Sequence, residues 1–389
     1  MKLDQFKDGY AIIEELEDNG FEAYFVGGCI RNYLLGLPVN DIDITTSAKP
    51  DEIIRLFPKT IPLNVEHGTV IVRYNHLSYE VTTFKTSELQ SNEPLSLYED
   101  LKRRDFTLNA IAMNKEGHLL DYFKGQEAIK QRKLIGVENT SKRIVEDPLR
   151  IIRAFRLMGQ YNFSLDRTLE RSIQDHKDLL NTVAVERITD EFNKLLQAPH
   201  LVKCLAIMNE YNIFNNLPYF KTSSFNAAFC KEVTRRYDSF SEFIAHYALL
   251  NDLPIRQVMK EWKASNKMID DAVKLYTYVQ SFKKEGLSSL NVYQVDKNLI
   301  ATTISLSKRI HLPIEEESFY ELKETLPIQS KDDIDFSGND LISLFPHKKR
   351  GKWIGDTLGA IEIAILNEDI KNNKMLIKEW VLCHQQEMK

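Results

Sequence analysis

The stretch Ala23-Tyr-Phe-Val-Gly-Gly-Cys-Ile-Arg-Asn-Tyr-Leu-Leu-Gly-Leu-Pro-Val-Asn-Asp-Ile-Asp-Ile-Thr-Thr46 decides the fold. It opens as a short apolar strand, turns at Gly27-Gly28, continues as a helix from Cys29 to Leu35 closed by Gly36, and ends in a second strand. Residues i and i+2 of a strand share a face, so Asp41 and Asp43 are expected to project together while Ile42 and Ile44 point the other way. Two such carboxylates repel unless a cation lies between them, and a hard ion such as Mg²⁺ suits few carboxylates plus water and phosphate oxygens. Glycines let a backbone approach a phosphate closely, and the new helix adds its N–H groups and Arg31. Phosphate on one side and metal on the other is the layout of a phosphoryl-transfer site. Taken singly, the acid pair also fits a solvated strand end and the glycine pair an ordinary turn.

Around this stretch the pattern predicts a helix over 4–17, strands over 22–26 and 41–45, and a short helix from Pro50 to about Phe57. Gly68–Tyr74 and Ser78–Phe84 alternate with period two and read as a β-hairpin. If that hairpin joins the same sheet, Glu80 becomes a third carboxylate beside the pair; otherwise it is an ordinary edge-strand glutamate. From about Asn139 apolar spacings of three and four continue almost without break. The expected fold class is α+β, a head with a small mixed sheet followed by an all-helical remainder.

The chain has 389 residues and a formal net charge of −5, against a protein that coats its whole surface with nucleic acid. Charge is uneven, however: between Lys102 and Arg156 there are 13 Lys/Arg against 7 Asp/Glu, a local surplus of +6 that fits either a polyanion footprint or a solvated surface. No apolar run approaches the roughly 18 residues of a membrane span. The first residues lack the apolar segment of a signal peptide. The four cysteines are scattered, as expected of reduced thiols in a cytoplasm.

Two further clusters bear chemistry. Lys102-Arg-Arg-Asp-Phe-Thr-Leu-Asn-Ala-Ile-Ala112 groups Arg104, Asp105 and Asn109, with Arg104 suited to a triphosphate or ribose and equally to a helix start. Glu146-Asp-Pro-Leu-Arg-Ile-Ile-Arg-Ala-Phe-Arg156 begins with an Asp-Pro pair, which predicts Asp147 as a helix N-cap and Pro148 as the first helical residue. Steps of three drift about 60° each on a helix, so Arg150, Arg153 and Arg156 form a slowly winding stripe starting beside Asp147. Without regular acidic partners in sequence, that stripe calls for an external anion.

Together, Gly27-Gly-Cys-Ile-Arg31, Asp41-Ile-Asp43, Arg103-Arg-Asp-Phe-Thr-Leu-Asn-Ala110, Glu146-Asp-Pro-Leu-Arg150 and Glu186-Arg-Ile188 resemble the ordered motifs of class II tRNA nucleotidyltransferases, the bacterial CCA-adding enzymes of the polymerase beta superfamily. The motifs span the first half of the chain. Ser337-Gly-Asn-Asp-Leu341 and Gly351-Lys-Trp-Ile-Gly355 are similar to the family's tail. The resemblance implies a nucleotidyltransferase head over 1–138, a helical neck with the base-recognising template over 139–200, a body over 201–265 and a tRNA-binding tail over 266–389. It implies Asp41 and Asp43 as metal ligands, Gly28, Arg31 and Arg104 on triphosphate and sugar, Asp147 and Arg150 as template, and Arg153 and Arg156 as further nucleotide contacts; Glu80 is the candidate third catalytic carboxylate from its place on the hairpin, not from the resemblance. It also implies Mg²⁺, CTP, ATP and tRNA as cofactor and partners, two-metal transfer and a possible homodimer.

The chemistry of that template follows from base edges. Cytosine and adenine both present an exocyclic amine donor beside a ring-nitrogen acceptor, so a carboxylate and a guanidinium pair with either; guanine and uracil reverse both contacts. Two departures mark this chain: Asn32 stands where the family usually has aspartate, and Thr86–Tyr98 is shorter than the family's flexible loop and lacks its Arg-Arg-Pro element. The second keeps addition of two cytidines only as an alternative. Poly(A) polymerase and an inactive RNA-binding scaffold are the others; an intact acid pair argues against the scaffold, and a non-basic carboxy-terminal end against the polymerase.

Overall fold

In the computed structural model, residues 3–64, 68–85, 96–223 and 225–384 are described. The segment 86–95, the core of the short loop on which the two-cytidine alternative rests, lies outside them. Two compact units emerge, Met1–Cys230 with Thr234–Arg236, and Lys231–Val233 with Tyr237–Lys389. The break falls inside the stretch 201–265 expected to form one body.

The first unit begins with α1 (Lys7–Asp18), β1 (Ala23–Val26), α2 (Gly28–Leu34), β2 (Asp43–Thr46) and α3 (Pro50–Leu56), followed by β3 (Thr60–Asn64), β4 (Thr69–Tyr74) and β5 (Leu77–Thr83). After α4 (Leu97–Lys102) come β6 (Ala112–Met113), β7 (Leu119–Leu120) and α5 (Gly125–Gln131). The seven strands form one sheet in the order β3-β4-β5-β2-β1-β6-β7, in which β2 runs antiparallel to β1 and parallel to β5. The hairpin thus joins the sheet of the acid pair.

Register explains which face is functional. Phe25 pairs with Ile44 and Ile44 with Val81, and all three are fully or almost fully buried. Phe25 packs edge-on against Tyr10 of α1, so this face is closed by that helix. Val26 pairs with Asp43 and Asp43 with Glu80, which places both carboxylates on the opposite face. One expectation needs correction: β2 starts at Asp43, and Asp41 stands in the exposed bend before it rather than on the same strand.

A helical layer follows: α6 (Thr140–Glu146), α7 (Arg150–Tyr161), α8 (Arg167–His176), α9 (Val185–Leu196) and α10 (Leu201–Glu210). It is interrupted by a parallel pairing of Lys133–Leu134 with Ser164–Leu165 that apolar periodicity does not disclose. On α7, Ile151, Ile152, Phe155 and Met158 are fully buried and Arg150, Arg153 and Arg156 lie on the other flank. Gly159 lets α10 approach, since a Cβ there would stand 2.8 Å from Cys204 Sγ.

The second unit is helical. Its centre is the helix Phe240–Asn251, buried on almost every side, which carries the ion pair of Glu242 with Arg309 at 3.0 Å; both side chains are sealed from solvent. No helix among the described residues is long and apolar enough to cross a membrane. Cys29 and Cys204 are buried, and none of the four cysteines is paired.

Candidate active site

Gly27 has φ of +75°, a conformation that admits glycine and turns the chain from β1 into α2. A Cβ on Gly27 would lie 3.0 Å from Arg104 Nη1 and 3.5 Å from Asp43 Oδ2, and one on Gly28 would lie 3.4 Å from Arg31 Nη2. The bare backbone of the glycine pair is therefore flanked by two guanidiniums and a carboxylate. Arg104 is anchored by Asp100, whose Oδ2 accepts from Nη2 at 3.0 Å, and its Nη1 reaches the Asn109 carbonyl at 3.5 Å.

Asp43 is half-buried, and its carboxyl is pushed up to about 6. Burial is the largest cause, followed by the charge of Glu80; Arg104 opposes the shift, Asp41 adds to it and Arg31 opposes it. Glu80, across the β2–β5 register, and Asp41, off the strand, thus both act on Asp43. Among the described residues no three His, Cys, Asp or Glu side chains converge as a finished metal cage. The donor set nonetheless fits Mg²⁺, a hard ion held by one or two carboxylates that keeps several water and phosphate ligands. A cation at Asp43 offsets both the burial of its charge and the repulsion from Glu80 and Asp41.

The structure alters the reading of the second cluster. Asp147 ends α6 and does not cap the next helix through its side chain: α7 starts at Arg150, with only the Asp147 carbonyl accepting from Arg150 N. The Asp147 carboxylate instead accepts from Arg187 Nη2 at 3.2 and 3.1 Å. Arg187 sits in the Glu186-Arg-Ile188 motif, visible in sequence but without a role read from it. The arginine stripe also has acidic partners after all, supplied from distant segments. Arg153 Nη2 meets Asp105 Oδ2 at 2.9 Å, and Arg156 Nε donates to Glu191 Oε2 at 2.6 Å. Arg150 differs: Nη2 donates to the Arg103 carbonyl at 2.8 Å, while Nη1 is buried without a hydrogen-bond partner among the described residues. Such an orphan donor is expensive unless an acceptor arrives. Asp105 is buried and its pKa lowered; burial itself opposes that, and Arg153, Asn109 and the Phe106 N–H overcome it.

Arg31 is nearly buried and tied to Asn32, Asn109 and Tyr161, and burial lowers its pKa. Glu191 and Tyr161 are the partners that sequence reading missed. Neither carries a local signal, since each matters only through a contact more than 30 residues away.

Comparison with known proteins agrees with this geometry. A model of the poly A polymerase head domain matches residues 23–135, one of a probable RNA and SrmB-binding site of polymerase A matches 162–223, and one of a putative tRNA nucleotidyltransferase domain 2 matches 237–381. The CCA-adding enzyme of Bacillus cytotoxicus is 37% identical over 398 residues, covering 97% of this chain and 98% of that one. The crystal structure of the Bacillus stearothermophilus CCA-adding enzyme in complex with CTP is 32% identical, covers 100% of this chain and 99% of that one, and aligns with a TM-score of 0.90. At 20% identity and a TM-score of 0.63, the Thermotoga maritima CCA-adding enzyme complexed with tRNA shares the fold, covering 99% of this chain and 96% of that one. With the motifs, the carboxylate-bearing sheet face and the full-length likeness in agreement, this chain belongs to the CCA-adding enzymes, the nucleotidyltransferases that complete the 3′ end of tRNA.

Proposed function

We propose that this chain adds all three nucleotides, cytidine, cytidine and adenosine, in one site, with CTP, ATP and tRNA as substrates. The observation that carries the reading is the meeting of Asp43, Glu80 and Asp41 with Arg104 at the Gly27-Gly28 turn. Enzymes of this family generally use a divalent metal; here we assign Mg²⁺, with Asp41 and Asp43 as ligands and Glu80 as the carboxylate that supports them. When bound, it supplies positive charge to the attacking 3′-hydroxyl and the leaving pyrophosphate. Gly28, Arg31 and Arg104 hold the triphosphate. Asp147 and Arg150 read the base, the unpartnered Arg150 Nη1 donating to the ring nitrogen while Asp147, oriented by Arg187, accepts from the exocyclic amine. Arg153 and Arg156, locked by Asp105 and Glu191, keep that helix flank in place and line the nucleotide.

Residues 1–138 and 139–200 are assigned to the chemistry and base choice, and 201–265 and 266–389 to holding the tRNA. A cytoplasmic homodimer is the assembly we assign. Replacing Asp147 or Arg150 by alanine is expected to let UTP or GTP compete with CTP, because a reversed donor and acceptor pair ordinarily costs about 1–3 kcal/mol per unsatisfied buried group. Competition assays on folded variants check this, and wild-type selection among four nucleotides would return Asp147 to a structural role. The experiment for full addition uses a tRNA already ending in CC with ATP alone. Efficient gain of one adenosine is expected; failure there, with brisk CTP incorporation on a shorter tRNA, would make the chain an adder of cytidines only.

A further inference from the structure

Tyr161 is the last residue of α7, and only 7% of it is exposed. Its hydroxyl accepts a hydrogen bond from Arg31 Nη2 at 2.7 Å and donates its single proton to Asn32 Oδ1 at 3.0 Å. The guanidinium carbon of Arg31 stands 4.6 Å from the Tyr161 ring centroid. Arg31 Nη1 donates to Asn109 Oδ1 at 2.6 Å, and its Nε and Nη2 reach Asn32 Oδ1 at 3.3 and 3.1 Å. Each of these partners is neutral. They fix the guanidinium plane without cancelling its charge, which leaves that charge for an anion at the glycine turn.

The contacts continue through Asn109 Nδ2 to Asp105 Oδ1 at 2.9 Å and from Asp105 Oδ2 to Arg153 Nη2 at 2.9 Å. Arg153 and Tyr161 are eight residues apart on one helix, about 12 Å of rise. A closed ring of side chains therefore runs from α7 through Tyr161, Arg31, Asn109, Asp105 and Arg153 back to α7. It joins the phosphate side of the site to the helix that carries the arginine stripe.

We infer that Tyr161 is a positioning residue for nucleotidyl transfer: its hydroxyl holds the Arg31 guanidinium beside the Gly27-Gly28 turn, in register with the base-side arginines of α7. The inference rests on the phosphate role proposed above for Arg31. A phenol suits the task because its hydroxyl both accepts and donates while remaining neutral, whereas a carboxylate in its place would neutralise the cation.

The test is Tyr161→Phe, which keeps the ring and removes the hydroxyl. KM for CTP and for ATP is expected to rise together by about tenfold or more, the value of a hydrogen bond to a charged group. KM for tRNA and the order of preference among the four nucleotides are expected to stay as they are. In an Arg31→Lys background the same change should add little further, because both act through one guanidinium. A lowered folding midpoint with unchanged nucleotide KM would make Tyr161 a packing residue and overturn the inference, as would a full additive effect on top of Arg31→Lys. Unchanged KM in Arg31→Lys alone would have a different meaning, since it removes the phosphate role of Arg31 itself and the inference with it.

Discussion

Asp43→Asn is expected to lower the rate of both cytidine and adenosine incorporation by roughly a thousandfold or more, the scale on which loss of one preorganised electrostatic partner acts. Binding of tRNA should be nearly unaffected, since the change touches a half-buried position on the sheet. The same variant is expected to be more stable than the wild type at neutral pH. The folded-state pKa of Asp43, about 6, lies above the ordinary 3.8. Its contribution to stability is therefore full below about pH 4 and is lost as pH rises through about 6, where the folded protein must carry a charge that burial and then Glu80 oppose. Asparagine removes that handicap. Thermal midpoints at pH 7.5 should favour the variant, and the difference should vanish near pH 4. Added Mg²⁺ should raise the midpoint of the wild type and leave that of the variant unmoved, because a ligand stabilises only the state that binds it. Substantial Mg²⁺-dependent turnover by the variant would remove Asp43 from the site.

The largest loss of stability is expected far from that chemistry in sequence. Glu242 Oε1 accepts from Arg309 Nε at 3.0 Å and from Ser305 Oγ at 3.0 Å, Oε2 accepts from Asp238 N at 2.8 Å, and the Arg309 guanidinium carbon lies 4.1 Å from the Tyr237 ring centroid. Removing one member of a sealed pair strands the other charge, so Glu242→Ala should cost about 3–5 kcal/mol. Denaturant unfolding measures this. Replacing both members by apolar residues of similar volume should recover much of the loss, since the desolvation of two ions disappears together.

His246 lies beside the same cluster, its Nδ1 2.7 Å from Tyr237 Oη. Burial, then Arg309 and His311, lowers its pKa to about 3 from the usual 6.5. The unfolded chain takes up that proton first, so the stability owed to neutral His246 is present above about pH 6.5 and is lost as pH falls through about 3. Its slope is at most about 1.4 kcal/mol per pH unit. His246→Gln should flatten that acid limb of the stability profile; an unchanged limb would assign it to other groups.

Local pattern made much of the head legible. The run from Ala23 to Thr46 discloses strand, turn and helix because period, glycine and apolar spacing are properties of neighbours in sequence. The hairpin was readable for the same reason, and its parallel union with β2 turns Glu80 from a candidate into a neighbour of Asp43. What could not be read is pairing across the fold. Nothing local tells that Asp105 neutralises Arg153 or that Glu191 takes Arg156, so the arginine stripe reads as unpartnered in sequence when it is not. The Asp-Pro pair likewise signals a cap. Arg187, 40 residues on, draws the carboxylate away from that task and leaves it facing outward with its partner. Tyr161 belongs to the same class, an aromatic at a helix end whose hydroxyl meets an arginine 130 residues earlier.

Whether one site selects C, C and A without a nucleic-acid template is decided by sequencing the product made from a tRNA trimmed of its last three nucleotides. All four nucleoside triphosphates and Mg²⁺ are supplied together. Products three nucleotides longer, ending in CCA, with no further growth, are expected. Products that stop at CC, run on into repeated adenosines, or contain uridine or guanosine would contradict this expectation.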